Sequence, residues 1–260
     1  MARWVIQLAS LSIYLFASAT PAQEPPAAPV AQLQSGTTVI RDISGKAFDS
    51  YSIALTSGQC AELVVEQRGI DVVVQVVDAQ KKVVAEFDAD LRPQGEERVV
   101  VTAAEDATYE IRVKPRYSRA PAGSYEIRVV AIRAKTESDS ELFTAHRLAT
   151  EAASLREAGK YDDAVKRAEE AVAHGEKAVG DKDPYFGLLE SQLAYLYWLK
   201  GDFGKSQPIA ERGIAIARDD PHPNEPQIAV AMDSLALDYR STDQAPQAED
   251  TLKQILAIQL

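Results

Sequence analysis

Three features predict an antiparallel β-sandwich followed by an α-solenoid of three helical hairpins. Residues 37–134 alternate apolar and polar positions with period two and are rich in Val, Ile and Tyr. From Glu141 the apolar period becomes helical. That second half also repeats itself every 42 residues, so Ala152, Ala194 and Ala236 stand in equivalent places. The 260 residues suffice for two ordinary domains. They carry 28 basic and 39 acidic side chains, for a net charge of −11. Neither part has a basic stripe: residues 31–140 hold 14 basic and 17 acidic groups, and residues 141–260 hold 13 and 21. This balance excludes a phosphate-binding surface for nucleic acid and reads as a solvated acidic exterior.

Residues 1–22 read as a secretory signal peptide. Arg3 supplies the positive charge, Trp4 to Phe16 form an apolar run, and Ala17-Ser18-Ala19 offers small residues for cleavage, which would follow Ala19 or Ala22. The run is shorter than the roughly 20 apolar residues of a membrane span, so no permanent anchor is expected. Residues 23–36 begin Pro/Ala-rich and are expected to be an extended linker. An exported chain whose single cysteine is Cys60 has no internal disulfide, so its stability must come from core burial and repeat stacking. Cys60 itself reads as a half-buried strand residue rather than a reactive thiol.

The sandwich, residues 37–134, is expected to hold about eight strands. They begin with TVIRDIS (38–44) and the run around Phe48, Tyr51, Ile53 and Leu55, and end with TYEIRVKP (108–115) and SYEIRVVAIRA (124–134). Ser57-Gly58, Arg68-Gly69, Gln94-Gly95 and Pro121-Ala122-Gly123 mark turns between them. Tyr51-Ser52-Ile53-Ala54-Leu55, Ser57-Gly58-Gln59, Gly69-Ile70-Asp71-Val72 and Gly123-Ser124-Tyr125-Glu126-Ile127 together resemble the pre-peptidase C-terminal family of small bacterial sandwiches. The resemblance implies an accessory domain of an exported protein, not a catalytic one.

Residues 135–143 are polar at first and are expected to link the two parts, with Ser138 to Ser140 supplying a helix cap. Three repeats follow, over about 144–184, 185–226 and 227–260. Each is read as helix A, tight turn, helix B and loop. Gly159, Gly201 and Asp243 share the turn position, and Ala164, Ser206 and Ala248 are the small residues where helix B approaches helix A. Pro208 is expected to kink the second helix B or delay its start. Gly159-Lys160-Tyr161-Asp162-Asp163-Ala164, Leu193-Ala194-Tyr195-Leu196-Tyr197 and Leu235-Ala236-Leu237-Asp238-Tyr239 resemble the tetratricopeptide repeat in its 42-residue, kinesin-light-chain-like form. The third copy lacks the turn glycine. In this reading the last helix has an outer apolar face with no successor.

Chemistry is sparse. His146, His174 and His222 show no zinc-ligand spacing, and nucleophile elbow, P-loop and dinucleotide motifs are absent. Asp88, Asp90, Glu96 and Glu97 are oxygen donors of the type calcium takes, but in a loop with Pro93 and Gly95 they read as solvated turn acids. No catalytic residue, metal or cofactor is therefore expected.

Binding is the expected function. By the register of the repeat family, the groove is lined by His146, Ala149, Ala153 and Arg156, then Leu188, Ser191, Tyr195 and Trp198, then Val230, Asp233, Leu237 and Arg240. Arg156, Leu188, Ser191, Tyr195, Trp198, Asp233 and Arg240 are the candidate partner contacts, since Tyr, Trp and Arg dominate binding hot spots. The expected partner is a protein or peptide, with a homodimer through the last repeat as a further contact. Two other readings remain open. One is the recognition half of a longer or split enzyme whose caspase-like CHAT domain lies elsewhere. The other is a glycan-binding accessory protein using Phe48, Tyr51, Tyr109, Tyr117 and Tyr125 as sugar platforms. Export implies periplasm or cell exterior.

Overall fold

The computed structural model describes residues 31–259; the signal segment 1–22 and the start of the linker, 23–30, lie outside the described residues. Nine strands form two facing sheets. The first joins β1 (Ala31–Gln32), β3 (Asp49–Leu55), β8 (Ala107–Pro115), β5 (Val72–Val77) and β6 (Val83–Phe87) in that order. The second joins β2 (Thr38–Ile43), β9 (Gly123–Ala134), β4 (Gln59–Arg68) and β7 (Glu96–Thr102). All pairings are antiparallel except β1 beside β3. The linker expected over 23–36 is therefore partly sheet: Ala31 and Gln32 pair with Tyr51 and Ser52, and Leu33 is buried in the core. Burial of that one leucine outweighs the extended preference of the residues before it.

The alternation of the strands lines both inner faces with Ile53, Leu63, Val65, Val74, Val76, Phe87, Ile111 and Ile127. Two tyrosines interrupt this apolar layer. Tyr51 on one sheet and Tyr125 on the other touch hydroxyl to hydroxyl at 2.6 Å, and Tyr125 donates to Asp49 Oδ2 at 2.7 Å. Buried hydroxyls need partners, and here each sheet supplies the other's.

Six helices follow: α1 (Glu137–Glu157), α2 (Tyr161–Val179), α3 (Pro184–Leu199), α4 (Phe203–Arg218), α5 (Glu225–Ser241) and α6 (Ala245–Gln259). They pair as three hairpins, as the repeat predicts. Helix α1 starts seven residues earlier than the repeat phase places it, at 137 rather than 144, so most of the expected linker 135–143 is helical. The cause is local and tertiary at once. Thr136 and Asp139 close a reciprocal capping box, and Phe143 is buried in the sandwich core. Pro208 lies within a continuous α4 and delays nothing. The carbonyl it would have bonded belongs to exposed Gly204, which water can satisfy.

The turn reading holds in detail. Gly159, Gly201 and Asp243 all adopt positive φ, at 72°, 76° and 58°. Asp243 is thus an aspartate doing a glycine's work in the left-handed region. Ala164 and Ser206 are fully buried where the hairpin helices meet. Gly187 and Gly213 allow the α3–α4 crossing, since a Cβ on Gly213 would lie 2.7 Å from the Gly187 carbonyl oxygen.

Candidate partner-binding groove

The A-type helices α1, α3 and α5 carry the candidate residues as rungs spaced by the repeat: Arg156/Trp198/Arg240, Ala153/Tyr195/Leu237, Ala149/Ser191/Asp233 and His146/Leu188/Val230. The rungs meet different environments. At the C-terminal end of the helices a continuous series of contacts crosses all three. The Arg156 guanidinium lies 5.9 Å from the Tyr195 ring centre, and Tyr195 stacks on Trp198 at 5.7 Å with planes 13° apart. Trp198 Nε1 then donates to Ser241 Oγ on α5 at 3.2 Å. Cation, two aromatic rings and a hydroxyl thus form one partly exposed strip. Arg156 is only loosely paired, 3.9 Å from Glu157, and Arg240 is exposed.

Ser241 was not among the residues read as groove-lining. It follows Arg240 in the turn that departs from the repeat pattern, and that departure was the available signal.

The middle rungs are less open. Ser191 is half-buried, and its hydroxyl donates to the Gly187 carbonyl at 2.9 Å. Leu188 is half-buried, whereas Asp233 and Val230 are exposed.

At the N-terminal end the sandwich closes the groove. His146, expected to line it, is instead buried between the rings of Phe87 (3.9 Å) and Tyr185 (4.3 Å). Its Nδ1 lies 3.3 Å from the Glu86 carbonyl, and Thr150 one turn later accepts from the Glu86 N–H at 2.9 Å. Two side chains of one helix thereby satisfy both backbone groups of Glu86 on the free edge of β6. Burial pushes the His146 imidazole down to about 3, so it is neutral and Nδ1 carries the proton donated to Glu86. On α5, Asn224 donates to the Ala89 carbonyl at 3.0 Å while its own Oδ1 caps the helix at Gln227 N–H.

The other candidate groups are engaged in structural bonds. Glu97 accepts from the backbone N–H groups of Ala89 and Asp90, at 3.0 and 2.8 Å, and burial pushes its carboxyl up to about 8. Asp90 caps its own loop at Arg92 and Glu96, Asp88 pairs with Arg116, and Glu96 pairs with Arg98. Glu96 is solvated as expected, whereas Asp88, Asp90 and Glu97 are bonded within the 88–97 region and its neighbours rather than solvated. Cys60, Glu62 and Asp139 also converge, but Arg133 pairs with both carboxylates. Burial pushes the Cys60 thiol up to about 12, so it is not a thiolate. His174 contacts Glu141 at 2.5 Å, and His222 is exposed in its loop.

The aromatic residues named as sugar platforms do not share a face. Tyr51 and Tyr125 are core, Tyr109 is half-buried, Phe48 lies under the Arg112 guanidinium, and Tyr117 alone is largely exposed. Alternation along β3 and β9 turns the two central tyrosines inward.

Comparison with family models agrees with the helical half of this architecture. Two tetratricopeptide-repeat family models match, one over residues 144–185 and one over residues 185–260. No curated protein matches the chain. Among solved structures it is similar to BtubC (BKLC) from P. vanneervenii, at 18% identity, TM-score 0.43, over 45% of this chain and 47% of that one. TPR-like repeats of a Podosopora anserina kinesin light chain align at 23% identity, TM-score 0.39, over 44% and 55%. The pre-peptidase C-terminal domain of a Bacillus anthracis collagenase aligns at 17% identity, TM-score 0.34, over 41% of this chain and 99% of that domain. The chain thus spans about half the length of the first of these structures. It is an antiparallel β-sandwich followed by six helices that form a tetratricopeptide-like α-solenoid.

Proposed function

We propose that this chain is an exported, non-catalytic scaffold that holds a protein or peptide partner against the open, C-terminal half of the groove. The observation that carries the reading is the strip Arg156–Tyr195–Trp198–Ser241, which runs across three helices and stays partly exposed. Flat aromatic surface flanked by guanidinium groups holds a polypeptide by stacking and hydrogen bonding at small entropic cost. Arg240 and Asp233 extend this contact on α5, and Leu188 and Ser191 form its floor. The charged and small-residue pattern of residues 1–22 supports export to the periplasm or cell exterior. Among the described residues no helix is long and apolar enough to cross a membrane.

The reading is tested by capture from an envelope extract with the full chain and with a Tyr195→Ala, Trp198→Ala, Arg240→Ala variant. The variant should lose the partner with its helical circular dichroism unchanged. Undiminished capture would remove the groove assignment. Sedimentation of the same samples examines a second contact. Leu252 and Leu256 are exposed on α6, where the equivalent Ala210 and Ile214 are covered by α5. A homodimer through that face should appear as the concentration rises, and a strictly monomeric chain would exclude it. The same two leucines favour the alternative of a longer or split enzyme only if a further repeat covers them.

A further inference from the structure

The second and third repeats share a buried polar contact that the repeat pattern does not call for. Where the first and third copies carry Ala164 and Ala248, the second carries Ser206. Where the first and second carry Ser154 and Leu196, the third carries Asp238. Ser206 and Asp238 are both sealed from solvent, at 0% and 1% exposure. Ser206 Oγ touches Asp238 Oδ2 and also lies 2.8 Å from the Ala194 carbonyl oxygen. The other carboxyl oxygen, Asp238 Oδ1, is buried without a partner. One polar chain therefore ties α3, α4 and α5.

Counting hydrogens decides its direction. A serine hydroxyl has one hydrogen, and a carbonyl can only accept. Ser206 Oγ has two acceptors within reach, the Ala194 carbonyl and Asp238 Oδ2, so both contacts are full hydrogen bonds only when the carboxyl brings its own hydrogen. We propose that the folded protein holds Asp238 as the neutral acid, donating to Ser206, and that ionisation of this carboxyl loosens α5 from α3 and α4. The joint of the third repeat is in this sense a proton-dependent one.

The surroundings favour the neutral form. Burial raises the Asp238 carboxyl above its ordinary value, with Ser206 opposing. Among the described residues no cation pairs with it. On α4, Lys205 faces Asp202 and the Tyr197 ring, Arg212 pairs with Glu190 of α3, Arg218 contacts Met232 and Gln254, and Glu211 accepts from Tyr239 of α5. On α3, Lys200 pairs with Asp162. On α5, Arg240 and Asp233 are exposed. On α6, Lys253 pairs with Glu249, and Asp250 accepts from Gln254.

Loss of the proton turns the Ser206 hydrogen to the carboxylate and away from Ala194, and leaves a buried charge whose Oδ1 has no partner. Because the folded-state value is raised, the stabilisation is complete below the ordinary aspartate range near 4 and is lost as pH rises through the raised value. Three residues beyond Asp238, Ser241 receives the Trp198 indole N–H, so the same turn of α5 sets one edge of the groove. That last consequence rests on the groove reading; the proton itself does not.

Asp238→Asn supplies a permanent donor to Ser206. Its melting temperature should equal that of the parent at pH 4 and exceed it by about 5 °C at pH 8. Trp198 is the single tryptophan once the signal segment with Trp4 is removed, so emission should shift to the red as pH rises in the parent and stay constant in the Asn variant. The unsubstituted chain gives an independent reading, because the 13Cγ resonance of Asp238 should titrate above the ordinary aspartate range. Titration at or below that range, or a melting difference that stays constant with pH, would overturn the proposal. Failure to capture any partner would remove the groove function and leave the titration intact.

Discussion

Helix α1 inserts Phe143 into the sandwich core and His146 between two aromatic rings, whereas α5 reaches the sandwich through the amide of Asn224. The first attachment is apolar burial with both edge groups of Glu86 satisfied, and the second is a hydrogen bond at a loop. Between the neighbouring helices the contrast persists. The α2–α3 contact buries apolar groups such as Ala168, Leu193 and Leu196 and keeps its polar pairs, Tyr197–Glu169 and Lys200–Asp162, at the rim, while the α4–α5 contact buries the Ser206–Asp238 pair within it. Burial of apolar surface is insensitive to pH and tolerant of small shifts; a buried polar pair is neither. One repeat stack can therefore have a fixed end and an adjustable end without any change of fold.

Removing Phe143 should break this contrast most strongly. Phe143→Ala leaves a cavity in the sandwich and should cost about 3–5 kcal/mol. It should merge the behaviour of the first repeat with that of the third, seen as faster amide exchange in α1 and β6. Unaltered exchange there would mean that the capping box alone holds the helix.

A middle-sized effect belongs to Asp139, which accepts at the N-cap and from Arg133 of β9. Asp139→Ala should cost about 1 kcal/mol in chemical denaturation. Arg133 holds this carboxyl down at about 2, so its contribution is present above the ordinary range near 4 and fades as pH falls toward 2. This is the opposite sign to Asp238. A pH series of the parent should show the first repeat weakening in acid and the third weakening in base, and each single variant should lose its own dependence.

The smallest effect sharpens the comparison from the other side. Asp243→Gly relieves positive φ at the turn of the third hairpin and should stabilise it by roughly 0.5 kcal/mol. The same change would bring the third turn into line with Gly159 and Gly201. A loss of stability would show that the Asp243 side chain contributes more than its backbone strain costs.

Much of this was legible before any coordinates. The 42-residue register placed Gly159, Gly201 and Asp243 in one conformation, and the Val/Ile alternation placed the two inner faces of the sandwich. Arg156, Tyr195 and Trp198 were named from the register and do lie side by side. His146 occupies the same register position as exposed Val230, yet it is buried, because repeat register says nothing about a neighbour from another fold. Leu33 was hidden for a related reason, since a two-residue strand has no period to detect. The proton of Asp238 could not be read at all: Ser206 and Asp238 lie 32 residues apart and look like ordinary substitutions within a repeat.

The sequence by itself determined the two-part architecture, the number of hairpins and the residues of each rung, because those follow from periods of two, 3.6 and 42 that local chemistry enforces. Only the tertiary structure decided where the sandwich sits on the helices, which half of the groove stays open, and where a buried carboxyl must keep its proton. Those depend on which surfaces meet, and a meeting between distant segments is set by packing and desolvation rather than by any spacing along the chain.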